Sequence, residues 1–67
     1  MLKISLAAAR VNAEMTQEEA AKRMNVSKKT IINWEKGLVI PSLASLKALS
    51  EIYKMPMDNI FLPHQAT

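Results

Sequence analysis

A chain of 67 residues has room for one domain, predicted over residues 1–67, and at this size only about 60% of the unfolded surface can be buried. No cysteine is present, which excludes disulfides and thiolate metal sites, and the one histidine, His64, has no second histidine with which to share a metal. Nine Lys and Arg against six Asp and Glu leave a net charge of +3, an excess that permits a polyanionic partner without requiring one.

One glycine and three prolines leave little material for hairpins, whereas Ala, Leu, Met, Lys and Glu favour helix, so the expected class is all-α with five helices. The first is expected over about 2–12, where Leu2, Leu6 and Ala9 fall at helical spacing before Asn12-Ala13-Glu14 breaks the pattern. Thr16-Gln17-Glu18-Glu19 has the form of a capping box and opens a second helix over about 17–24, with Lys22 and Arg23 in its last turn. Asn25 follows, the non-glycine residue best suited to a left-handed helix end. Ser27 caps a third helix over about 28–36, and Gly37 stands where that helix needs a positive φ. A fourth helix over about 42–54 presents Leu43, Leu46, Leu49, Ile52 and Tyr53 as one apolar stripe. Pro56 breaks it, and a short fifth helix is expected over about 57–62. Met15, Met24, Met55 and Met57 read as core fillers.

The connection between the second and third helices is the informative feature. Two capped helices joined by Asn25-Val26-Ser27 describe a helix-turn-helix unit. Small Ala21 suits the close crossing, and Met24, Val26, Ile31 and Trp34 supply its apolar wedge. The outward residues of the third helix are of another kind: Ser27, Lys28, Lys29, Thr30, Asn33 and Lys36 all donate hydrogen bonds. Lys28 and Lys29 oppose the helix dipole at a cost of about 0.3–1 kcal/mol each, and no acid stands near them in that helix. They read either as a solvated helix start or as groups kept for a polyanion such as DNA. Asn33 is either an ordinary surface amide or a partner for adenine, which it can meet bidentately.

With these pieces in place the chain resembles the Cro and phage-repressor-like helix-turn-helix family. The likeness runs through Leu6 and Arg10, Met15-Thr16-Gln17-Glu18-Glu19-Ala20-Ala21 and Met24-Asn25-Val26-Ser27. It continues in Thr30-Ile31-Ile32-Asn33-Trp34-Glu35-Lys36-Gly37, Pro41-Ser42-Leu43, Leu46 and the closing Met55-Pro56-Met57-Asp58-Asn59-Ile60-Phe61. It departs from the family at Asn25, in place of the usual turn glycine, and at Ala20, where leucine is common. The resemblance implies a compact five-helix lambda-repressor-like domain whose third helix lies in the major groove of an operator. By position, Lys28, Lys29 and Asn33 would face base edges with Ser27 and Thr30 beside them, and Gln17 would meet a phosphate. Arg10 and Glu35 match positions that form a structural ion pair in that family.

Leu38-Val39-Ile40 is apolar where many relatives are basic or polar, and with Phe61 and Leu62 it is the candidate surface for a weak homodimer formed on DNA. Folding back over the core is its other reading. The expected function is that of a sequence-specific regulator, a small repressor that needs no cofactor, with double-stranded DNA as partner. An antitoxin that also represses its own operon, and so binds a protein partner, is the alternative. A nuclease is disfavoured because no histidine pair or carboxylate cluster is available for metal or acid–base work. No apolar run approaches the roughly 18 residues that cross a bilayer, so a cytoplasmic protein without membrane contact is expected.

Overall fold

The computed structural model describes residues 3–62; Leu2 and His64 lie outside that range, and the Phe61 side chain is likewise outside the description. In chain order it contains β1 (Ile4–Ser5), α1 (Leu6–Asn12), α2 (Gln17–Met24), α3 (Lys28–Lys36), α4 (Leu43–Tyr53), a 3-10 turn (Met57–Asn59) and β2 (Ile60–Phe61). None of the described helices is long and apolar enough to cross a membrane.

Each α-helix begins at a side-chain cap. Ser5 accepts from Ala8 N–H, Thr16 from Glu19, Ser27 from Thr30 and Ser42 from Ser45, satisfying one orphan donor in every first turn. The Ser5 cap explains why α1 starts later than the apolar spacing predicts: once Ser5 is extended, Ile4–Ser5 are free to pair as a strand. At the other ends, Asn25 (φ 59°) closes α2, Gly37 (φ 79°) closes α3 and Lys54 (φ 55°) closes α4. Lys54 therefore ends the fourth helix two residues ahead of Pro56.

The expected fifth helix is replaced by the 3-10 turn and β2, which runs parallel to β1 with Ile4 opposite Ile60 and Ser5 opposite Phe61. The physical reason is local and tertiary at once. Six residues after a proline are too few to nucleate a stable helix, and Ile60-Phe61 is a strand-favouring pair. Extended Ile4–Ser5 offers it hydrogen-bonding partners, and Leu62 precedes a proline, which disfavours the helical region. The result clasps the two ends of the described chain together.

The core is small. It holds Leu6, Ala9, Ala20, Ala21, Ile31, Trp34, Leu49, Tyr53, Ile60 and Leu62, with Ile31 and Leu49 the largest fully buried side chains. Ala9 and Ala20 have no exposed surface, so α1 and α2 approach their neighbours at backbone distance rather than through long side chains. Met15, Met24 and Met55 pack against this core, whereas Met57 is only half-buried in the 3-10 turn and does not join it. Leu43 also departs from the expected stripe: it is 74% exposed, as the first helical residue after the Ser42 cap.

Candidate nucleic-acid interface

Polar contacts join α2 to both ends of α3, Glu18 to Lys28 in its first turn and Gln17 to Glu35 in its last. Between the helices, Asn25 N–H donates to the Lys22 carbonyl (3.2 Å) and Val26 N–H to the Ala21 carbonyl (3.0 Å). This closes α2 in a left-handed turn and returns Val26 to the core edge. On α3, Ile31 and Trp34 are buried while Ser27, Lys28, Lys29 and Lys36 are exposed and Thr30 and Asn33 are half-exposed. The predicted polar residues of α3 thus all lie outside its buried stripe of Ile31 and Trp34. The Ser27 hydroxyl is committed locally, accepting from Thr30 N–H (3.2 Å) and lying 3.0 Å from the Thr30 hydroxyl.

An ionic node joins α1, α2 and α3. Arg10 Nε donates to Glu35 Oε2 at 2.7 Å, with side chains only 14% and 10% exposed. Arg10 Nη1 donates to the Met15 carbonyl (2.9 Å), and Gln17 Nε2 donates to Glu35 Oε1 (3.0 Å). The hydrogen bond to Glu35 raises the Arg10 pKa above its ordinary value, outweighing the opposing effect of burial. The node fixes the start of α2 to α3 through Gln17, a contact that spacing alone does not disclose. Tyr53 packs close to it, and burial first, then the Glu35 charge, pushes the phenol up to about 12.

Lys28 has no acid near it within its own helix, as the sequence indicates, yet it does not stand unpaired. Its Nζ lies 2.9 Å from Glu18 Oε2, an acid supplied by α2 rather than by α3 itself. Lys29 is left to carry the argument from uncompensated charge. Glu18 was not among the expected site residues, and its position in the first turn of the preceding capped helix was the available signal.

Leu38, Val39 and Ile40 are all exposed, flanking the buried Pro41. The chain leaves α3 through Gly37, with Leu38 N–H closing onto the Asn33 carbonyl (3.0 Å), so these three residues emerge directly from the C-terminus of α3. Leu62, expected with them, is only 6% exposed and belongs to the core. Buried just beyond β2, it is removed from any surface patch.

Two capped helices crossing through small residues, with a polar outer face on the second, define a helix-turn-helix domain. The chain belongs to the helix-turn-helix family, whose model matches residues 6–60. It is 38% identical over 53 residues to an uncharacterized HTH-type transcriptional regulator of Archaeoglobus fulgidus, covering 79% of this chain and 75% of that protein. It is 33% identical over 51 residues to the HTH-type transcriptional activator BcrR of Enterococcus faecalis, covering 76% of this chain and 25% of BcrR. A third relative, the cryptic phage CTXphi transcriptional repressor RstR of Vibrio cholerae, is 33% identical over 76% of this chain and 46% of its own length. No solved structure matches the chain.

Proposed function

We propose that the protein is a sequence-specific DNA-binding transcriptional regulator that inserts α3 into the major groove and represses by occupying an operator. The observation that carries this reading is the division of α3 into a buried apolar face and an outer face of Lys28, Lys29, Thr30, Asn33 and Lys36. Its role is binding rather than catalysis. Lys28 and Lys29 would read guanine O6 and N7, and Asn33 the N6 and N7 of adenine. Gln17 would meet a phosphate with its second amide N–H while the first stays on Glu35, supported by the free N–H groups opening α2.

The domain measures 29 × 22 × 19 Å, so two copies on half-sites one turn of DNA apart, roughly 34 Å, would lie side by side. Leu38, Val39 and Ile40, uncharged and therefore able to face their own copies, are the segment we assign to that weak pairing. Selection of bound duplexes from a random pool tests the reading. The parent protein should enrich one motif, and Lys29→Ala should bind it more weakly with its fold intact. A pool that stays random, or a variant that binds as the parent does, would overturn it.

A further inference from the structure

Nothing in the reading of Lys28 accounts for Glu18. In the first turn of α2 its charge suits the helix dipole, but a carboxylate beside a surface that meets phosphates is also repelled by them. Its partner is the reader itself: Glu18 Oε2 reaches from the first turn of α2 to Lys28 Nζ, 2.9 Å away. Both side chains are largely exposed, 61% for Glu18 and 48% for Lys28, so the contact lies at the surface and not in the core. The lysine hydrogen bond is the main cause holding the Glu18 carboxyl below its usual range.

A lysine is a point charge on a flexible stem with three donors. Unrestrained, it would take a nearby phosphate as readily as a base edge, and phosphate contacts carry no sequence information. One donor given to Glu18 leaves two for guanine O6 and N7. We infer that Glu18 is a specificity-determining residue, which holds the Lys28 ammonium off the phosphates and directs it to a guanine edge. The inference rests on the reading of Lys28 as a base reader. Glu18 then acts in two ways at once: its charge opposes binding that depends on phosphates alone, and its hydrogen bond supports binding to the correct base.

Glu18→Gln tests this, since it keeps the size and removes the charge at an exposed position; a far-UV thermal melt verifies the fold. The probes are the duplex enriched by the parent protein and a random-sequence duplex, each titrated across a salt series. The variant should bind random duplex several-fold tighter, with a salt slope steeper by about one. The ratio of selected to random affinity should fall about five-fold or more. In a Lys28→Ala background the same change should leave that ratio unaltered. If Glu18→Gln shifts both duplexes by one factor, or neither, while Lys28→Ala still weakens the selected site, this inference alone is overturned. If Lys28→Ala binds the selected site as the parent does, the reading of Lys28 falls and this role of Glu18 falls with it.

Discussion

Replacing Arg10 with methionine would leave the Glu35 carboxylate, 10% exposed, with a single neutral partner. The Met15 carbonyl would lose its Arg10 donor at the same time. A charge stranded in a mostly buried site costs about 3 kcal/mol, a large part of what a domain of this size has to spend. At about 4–8 °C per kcal/mol, the melting temperature should fall by roughly 12–24 °C. Glu35→Met should be comparably damaging, because it strands the guanidinium and also releases Gln17 from α3. With both partners replaced neither charge remains, so Arg10→Met/Glu35→Met should be less destabilised than the sum of the single variants, by about 1–3 kcal/mol. Urea unfolding of the four proteins, followed by far-UV circular dichroism at neutral pH, measures each term. Strict additivity would refute the argument, as would two single variants that melt with the parent.

Three further outcomes follow from other parts of the structure. Burial raises the Tyr53 phenol from 10.0 to about 12, so the folded state holds its proton more tightly than the unfolded chain does. The stability this confers is complete below about pH 10 and disappears as pH rises through 12; phenolate absorbance titrated against unfolding should show it, and an ordinary midpoint in the native protein would contradict it. Glu14 sits at φ 60°, just beyond α1, where a side chain is strained and a negative charge opposes the dipole. Glu14→Gly should therefore raise unfolding stability by about 0.5–1 kcal/mol, and a lower urea midpoint would count against that account. Val39→Glu should reduce cooperative binding to a palindromic duplex and spare half-site affinity and folding; equal losses on both duplexes would mean that the segment touches DNA or supports the core.

What could be read from the residues depended on the distance over which each signal acts. Caps and helix ends are written within four positions, so Thr16 with Glu19, Ser27 with Thr30, Asn25 and Gly37 were legible and lie as expected. The same logic would have found Ser5, which precedes Leu6 as plainly as Ser27 precedes Lys28, but the apolar spacing through Leu2 obscured it. The clasp of Ile4–Ser5 with Ile60–Phe61 had no such local signature, since two-residue strands show no alternation and the pairing joins opposite ends of the described chain. Reading Met57 to Leu62 as a helix extended the pattern of the preceding elements past a proline, where the gain from pairing with β1 outweighed weak local preference. The Arg10–Glu35 pair came through resemblance, because a separation of 25 positions carries no periodic record of the contact. Gln17–Glu35 and Lys28–Glu18 depend on the packing of α2 against α3, a close approach that the small, buried Ala21 permits. The outer face of α3 was legible because it needs only helical periodicity, whereas the acid that governs one of its lysines lies on another helix and becomes visible only when the two are packed.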